Sequence, residues 1–178
     1  RVGYSIEVVA SPSVESKRRA KRLANGIRAR VRTGSGDVTA TVIWICVPDS
    51  EIARVANALD SNFDWRGNVA LHSSGVLTSD ALDVLRKRGA SVASMHPLMT
   101  FVAGSQPSLE GVPFAVEGGA AAVRAARRIV NDLGGDAYGI RKQDKAAYHA
   151  WGTFASPLLT ALLATTERVA GLAGVKRK

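Results

Sequence analysis

The chain has 178 residues, of which 46% are hydrophobic, enough for one substantial core and a small additional unit. Its single cysteine, Cys46, excludes an internal disulfide, and no signal-peptide pattern opens the sequence, so we expect a cytoplasmic protein. Of the net charge of +9, residues 1–32 carry nine basic and two acidic side chains, or +7. A small anionic ligand near the first helix, nucleic acid or a solvated basic helix face would each explain this asymmetry.

Strand and helix patterns alternate over the first 140 residues. Apolar and β-branched runs predict strands over 4–10, 28–32, 39–47, 68–71, 91–95 and 112–116. Helical patterns follow over 14–25, from 49 onward, 79–87 and 120–133. The nearly continuous apolar run 42–47 is typical of a strand buried on both faces. The alternation predicts an α/β fold, a doubly wound parallel Rossmann-like sheet over residues 1–140.

Residues 141–178 differ in character and are predicted to start an all-helical C-terminal domain. One helix is expected from 144 to about 173, roughly 45 Å long. No charged residue occurs between 146 and 166, but His149, Gly152 and Pro157 argue against a membrane span. A helix that is apolar nearly all round belongs inside something larger.

The residues that follow the predicted strands carry the candidate ligand contacts, because ligands bind at the carboxyl ends of strands in doubly wound sheets. The turns after the strands at 39–47 and 68–71 are assigned to a cofactor: Val47, Pro48, Asp49, His72, Ser73, Ser74 and Gly75. The turn after the strand at 91–95 is assigned to the substrate, with His96 and Pro97. For each histidine a purely structural, hydrogen-bonded role is the alternative.

Three polar residues share one face of the long helix: Lys145, His149 and Ser156, spaced by four and seven residues. A lysine and a histidine on one face can act as acid and base in a hydride transfer, while Ser156 is a candidate for contact with the substrate. The alternative is that Lys145 lies at the surface and His149 only packs beneath the sheet edge.

Four short motifs, in this order and spacing, carry a resemblance to a known family. They are Val47-Pro48-Asp49-Ser50-Glu51-Ile52, His72-Ser73-Ser74-Gly75, His96-Pro97-Leu98-Met99-Thr100-Phe101, and Lys145-Ala146-Ala147-Tyr148-His149 followed by Ser156. The chain resembles a family of NADP-binding Rossmann proteins of uncharacterised function (DUF2520-like). That family is related to pyrroline-5-carboxylate reductase, 6-phosphogluconate dehydrogenase and ketopantoate reductase.

The resemblance implies a first strand and a G-x-G-x-x-G turn just before Arg1, and a helical domain that continues past Lys178. The segment Gly34-Ser35-Gly36 does not replace that turn, because no helix follows it to hold a pyrophosphate. The chain is therefore expected to be a fragment, a truncated form or a natural variant that has lost the usual dinucleotide-binding turn. The resemblance also implies that Lys145 is the catalytic lysine, with His149 beside it, and that the chain forms a homodimer through the C-terminal helix.

The turn after the strand at 4–10 predicts NADP as the cofactor. Ser11 and Ser13 stand where an acidic residue would bind the ribose of NAD, and Lys17 and Arg18 follow one turn later, a set that suits a 2′-phosphate. Pro12 departs from the arginine that similar proteins carry between the two serines. Ser13 acting only as a helix cap is the alternative.

These observations predict an oxidoreductase that transfers a hydride between NADP(H) and a small carbonyl or imine substrate. A non-catalytic nucleotide-sensing or scaffold protein is the first alternative, and a nucleic-acid-binding protein is less favoured because few aromatic residues accompany the basic helix. No metal site is expected, since no carboxylate or cysteine clusters with the three histidines. No membrane association is expected either.

Overall fold

In a computed structural model of the chain, residues 4–6, 8–11, 21, 30–33, 40–59, 63–102 and 104–175 are described. Seven strands lie in these ranges. They are β1 (Val8–Ser11), β2 (Arg30–Thr33), β3 (Val42–Ile45), β4 (Val69–His72), β5 (Ser91–Pro97), β6 (Pro113–Gly118) and β7 (Asp136–Gly139). All the predicted strands are present, whereas β7 was not predicted.

The strands form two separate hydrogen-bonded sheets. β1 pairs in parallel with β2, and the other five lie in the order β3-β4-β5-β6-β7. The predicted parallel pairing of the strands near residues 47, 71 and 95 is confirmed. The expectation that the strand ending near residue 10 belongs to the same sheet is wrong, because no backbone ladder joins β1 to β3 among the described residues.

The five-stranded sheet is mostly parallel, as predicted, except that β6 is antiparallel to β5. Two consecutive parallel strands need a crossover connection, which is usually a helix. The described residues between β5 and β6 include no helix. β7 is parallel to β6, since a helix connects them.

Five α-helices complete the described part of the chain. They are α1 (Asp49–Ala58), α2 (Asp83–Lys87), α3 (Ala120–Asp132), α4 (Lys145–Thr153) and α5 (Leu159–Leu172). The predicted single helix after 144 is interrupted by a π-helical turn, Phe154–Leu158, that contains Pro157. Proline has no N–H to donate to the preceding turn, so the regular ladder breaks there.

Helices cover both faces of the five-stranded sheet, as expected for a doubly wound fold. One buried cluster joins the sheet to α1 and α2, and its members include Ile45, Ile52, Ala70, Leu85 and Val92. A second cluster joins the opposite face to α3, and its members include Leu71, Met95, Val116, Ala126 and Val130. The alternation of Ala70 and Leu71 between the two clusters follows from the two-residue period of a strand.

α5 is exposed along almost its whole length, although it is rich in leucine. Leu162 and Leu163 are 62% and 61% exposed. Within the described ranges, no helix combines the length and the apolar content that crossing a membrane requires. The division into domains at residues 140 and 141 stays a prediction.

Candidate functional site

The carboxyl ends of β3, β4 and β5 meet at one edge of the sheet because the three strands are parallel. His72 is the last residue of β4, and His96 lies near the end of β5, two residues beyond the partner of His72 in the ladder. The expectation that both histidines lie at this edge is confirmed. The structure also gives them different surroundings.

His72 is fully buried and holds the loop that follows β4. Its Nδ1 accepts the backbone N–H of Ser74 at 3.1 Å, so its Nε2–H donates to the carbonyl of Thr78 at 3.0 Å. Burial lowers the pKa of His72 to about 4, because desolvation disfavours the imidazolium. The hydroxyl of Ser74 donates to Asp49 at 2.7 Å and accepts the N–H of Leu77 at 2.9 Å. The hydrogen bonds of His72 and Ser74 thus hold the loop after β4 in place at this edge of the sheet.

Lys145, at the start of α4, is only 1% exposed and reaches under this loop. Its Nζ donates to the carbonyl of Ser74 at 2.9 Å and also to the hydroxyl of Ser94. Burial lowers the pKa of Lys145 to about 8, although the negative charges of Glu117 and Asp49 oppose the shift. A lysine amine with this pKa is mostly in its charged ammonium form near neutral pH.

Glu117 is a buried carboxylate near the end of β6. It accepts the backbone N–H of Ser79 at 2.6 Å and the Ser79 hydroxyl at 2.9 Å, which satisfies it within the protein. Its negative charge partly offsets the positive charge of Lys145.

Two imidazoles converge above Gly75. A β-carbon at Gly75 would lie 2.2 Å from Nδ1 of His149 and 2.8 Å from Nε2 of His96, so the two rings occupy the space that a side chain would fill. Their centroids are 5.7 Å apart in an edge-to-face arrangement. Burial, and then the charge of Lys145, lowers the pKa of His96 to about 4. His96 is therefore neutral at physiological pH.

A cleft of about 360 Å³ opens beside these two histidines. His96 and His149 line it together with Ser156 and other residues of the π-helical turn. The predicted substrate residues His96 and Ser156 thus share one cleft with the predicted catalytic His149. Lys145 does not line it. Pro97 instead lines a separate apolar groove of about 290 Å³, which it shares with Ser73.

Only some of the remaining predicted cofactor residues lie within the described residues. Pro48 and Asp49 are exposed and Val47 is half-buried, directly after β3. Ser11 ends β1, whereas Ser13, Lys17 and Arg18 lie outside the described residues. No group of three or more His, Cys, Asp or Glu side chains in the described part of the chain could hold a metal ion.

Tyr148 is a residue of this site that the sequence analysis did not single out. It is 8% exposed, and its hydroxyl lies 3.0 Å from Nδ1 of His96. Burial raises the pKa of Tyr148, and a hydrogen bond with Tyr138 raises it further. The signal was available, since Tyr148 follows Lys145 by three residues and so shares its helix face. Ser94 was missed because it lies inside a strand.

Comparisons with known proteins agree with this architecture. Residues 1–97 match the family model of the Rossmann-like domain, and residues 112–178 match a domain of unknown function (DUF2520). No curated protein is significantly similar to the chain.

Several solved structures resemble it. Protein TM1727 from Thermotoga maritima is 26% identical, with a TM-score of 0.75 over 97% of this chain and 64% of that one. BF3122 from Bacteroides fragilis, assigned as an NADP oxidoreductase, is 17% identical, with a TM-score of 0.73 over 98% and 66%. An imine reductase from Myxococcus stipitatus in complex with NADP+ is 16% identical, with a TM-score of 0.62 over 97% and 60%. The chain spans less than two thirds of each of these proteins.

Proposed function

The chain belongs to the Rossmann-like domain family, and we propose that it transfers a hydride between NADP(H) and a small carbonyl or imine substrate. The observation that carries the proposal is the convergence of His96 and His149 on one cleft at the carboxyl edge of the sheet. This edge is where doubly wound folds bind their ligands. A cleft of about 360 Å³ suits a small organic substrate.

The residues at the edge fit the nicotinamide half of a dinucleotide. Val47, Pro48 and Asp49 form an accessible turn at the N-terminus of α1, and Ser73 lies on the neighbouring loop. His72 and Ser74 hold these loops in place through their own hydrogen bonds. When bound, NADP(H) would supply or accept the hydride.

The preference for NADP over NAD rests on the sequence. Ser11 and Ser13 stand where an acidic residue would bind the ribose hydroxyls of NAD, and Lys17 and Arg18 follow one turn later. Serine hydroxyls and cationic side chains would instead bind a 2′-phosphate.

Reduction of a carbonyl or imine leaves a developing negative charge on oxygen or nitrogen, which the chain must neutralise with a proton. His149 lines the cleft and can exchange a proton with the substrate directly. Lys145 lies behind the cleft with two of its three N–H groups on Ser74 and Ser94. Its buried positive charge would stabilise the developing anion, because electrostatic interactions are strong where water is excluded.

The direct test measures binding and turnover with the chain as it stands. Thermal-shift titrations with NADPH, NADH and duplex DNA should show stabilisation by NADPH, and the effect should be small because the sequence holds no G-x-G-x-x-G turn to bind the pyrophosphate. NADPH oxidation should then be followed with a panel of small keto acids and cyclic imines. Lys145→Met should lower turnover by about 10²-fold or more, whereas Lys142→Met, the same change at a surface lysine paired with Asp80, should leave it unchanged.

Each alternative has its own signature in these experiments. Tighter binding of NADH than of NADPH would refute the cofactor preference. Nucleotide binding without turnover on any substrate of the panel would favour the sensing or scaffold function. Stabilisation by DNA alone would favour nucleic-acid binding.

The exposed leucines of α5 support a second proposal, that two copies of the chain associate through this helix. A contiguous apolar surface of more than a few hundred Å² is rare on a soluble monomer. Leu159, Leu162 and Leu163 are spaced by three and four residues, so they lie side by side on α5, and they are 46%, 62% and 61% exposed. Sedimentation at micromolar concentration should therefore show a dimer, and a single 18.7 kDa species would contradict it.

A further inference from the structure

The cleft beside His96 and His149 offers no counter-ion for a bound cation. Its lining combines the two imidazoles with apolar and hydroxyl-bearing residues of the loop after β5 and of residues 151–157. Apolar surface comes from side chains such as Met99 and Trp151, and every lining residue lies within the described ranges. None of them is an aspartate, glutamate, lysine or arginine. A substrate in this cleft therefore meets apolar surface and hydrogen-bonding groups, but no carboxylate.

Lys145 places a positive charge directly behind this lining. Its Nζ donates to the carbonyl of Ser74, which is bonded to Gly75, the residue over which the two imidazoles converge. On α4, Lys145 precedes His149 by four residues, so the two lie on one face of the helix. Because Lys145 is 1% exposed, water and salt screen its charge far less than they would at the surface.

This charge has no carboxylate as a direct partner. Nζ of Lys145 bonds to neutral oxygens, the carbonyl of Ser74 and the hydroxyl of Ser94. Glu117 and Asp49 act on it through their charge only. The oxygens of Glu117 accept hydrogen bonds from other groups, and Asp49 accepts the hydroxyl of Ser74. The positive charge is therefore only partly offset.

The effect of this charge on the cleft is visible at His96. The pKa of His96 is lowered to about 4, first by burial, next by the charge of Lys145 and then by that of His149, while Asp49 opposes the shift. A second positive charge is thus disfavoured at the position where a substrate would contact the imidazole.

Carbonyl and imine substrates carry different charges when they accept a hydride. An aldehyde or ketone is neutral and becomes an alkoxide, whereas an imine reacts as its protonated iminium cation, because protonation makes its carbon electrophilic. A buried positive charge stabilises the alkoxide and opposes the iminium. We infer that the cleft takes an aldehyde or ketone with a small apolar body and discriminates against imines. The inference narrows the substrate class of the proposed hydride transfer and rests on that function.

The reaction balances with groups that line the cleft. The carbonyl carbon accepts a hydride, and with it two electrons, from NADPH, which is oxidised to NADP+. The π electrons of the carbonyl move to its oxygen, and that oxygen takes a proton from the protonated form of His149. His149 is exposed, so it regains a proton from solvent.

Turnover of two probes of similar shape tests the inference. Cyclopentanone and 2-methylpyrroline, a cyclic imine, are both small five-membered rings with one substituent, and NADPH oxidation is followed with each. The wild type should have the higher kcat/KM with the ketone. Ser156 lines the cleft and is exposed, so Ser156→Asp supplies the missing carboxylate without disturbing the core. It should shift the ratio of the two kcat/KM values toward the imine by about tenfold or more.

Ser156→Asn is the matched control, because asparagine has the shape of aspartate without its charge, and it should keep the wild-type ratio. Lys145→Met should shift the ratio toward the imine as Ser156→Asp does, since it removes the positive charge. A wild type that prefers the imine, or a ratio that Ser156→Asp and Lys145→Met both leave unchanged, would overturn the inference and leave the reductase function standing.

Binding gives a readout that needs no turnover. NMR titration of the Trp151 indole, which lines the cleft, compares cyclopentanone with pyrrolidinium, a cation with the shape of the iminium. The wild type should bind the ketone about tenfold more tightly or better, and Ser156→Asp should reduce or reverse the difference. Equal binding of the two probes, or binding of neither, would overturn the inference. Selective binding of the ketone without NADPH oxidation would instead overturn the reductase function and support the charge selectivity of the cleft.

Discussion

Gly75→Ala is the substitution that most directly probes the convergence of the two histidines. Its new methyl group would lie 2.2 Å from Nδ1 of His149 and 2.8 Å from Nε2 of His96, whereas favourable contact begins near 3.5 Å. His149 is exposed and can rotate away, so its displacement costs little. His96 is tied to Tyr148 and must break that bond or push the loop outward.

Overpacking of this kind destabilises a protein by about 1–3 kcal/mol, so urea denaturation of Gly75→Ala should show a loss in that range. NMR should show that His96 has lost its hydrogen bond to Tyr148. Gly171→Ala is the matched control, because its methyl group meets nothing within 4 Å on the exposed face of α5. Helix propensity predicts that it raises stability by up to about 1 kcal/mol. Wild-type stability and unchanged imidazole signals in Gly75→Ala would refute the placement of the two rings.

Three further predictions concern charge and assembly. The pKa values of His72 and His96 are lowered to about 4 in the folded state. The free energy of unfolding should therefore fall as the pH drops from 6.5 to 4, by about 1.4 kcal/mol per pH unit for each histidine. A free energy of unfolding that stays constant over this range in urea titrations would contradict the prediction. The pKa of Lys145 is lowered from 10.5 to about 8. As the pH rises from 8 to 10.5, the wild type should therefore gain stability relative to Lys145→Met, by roughly 3 kcal/mol in total. A stability difference between the two proteins that does not change with pH would show that Lys145 is solvated. Leu163→Glu should convert the proposed dimer to monomer in sedimentation, and a dimer that persists would place the interface elsewhere.

The sequence predicted much of the fold because strand and helix periodicity is local information. The apolar run at 42–47 gave β3, the alternation of elements gave a sheet covered by helices on both faces, and polar residues after the strands identified the edge. The direction of β6 and the separate pairing of β1 with β2 were not predictable in this way. Both depend on which strands meet in space.

The roles of the site residues depended still more on tertiary contacts. From the sequence, His72 was assigned to the cofactor and His96 to the substrate, and Lys145 and His149 were assigned as an acid and base on one helix face. The structure separates them: His72 holds a loop, Lys145 is buried behind the cleft, and His96 and His149 line it. Burial and hydrogen-bond partners cause this difference, and neither is encoded in the spacing of a motif.

The sequence alone thus determined the order of elements, the family resemblance and the edge of the sheet where the site lies. Only the tertiary structure decided which groups meet there. Nζ of Lys145 reaches a carbonyl 71 residues away, and the ring of His96 meets a hydroxyl 52 residues away. Contacts over such separations form when the sheet and its helices pack together, so no local pattern specifies them, and they set the protonation state of each group through burial and neighbouring charge.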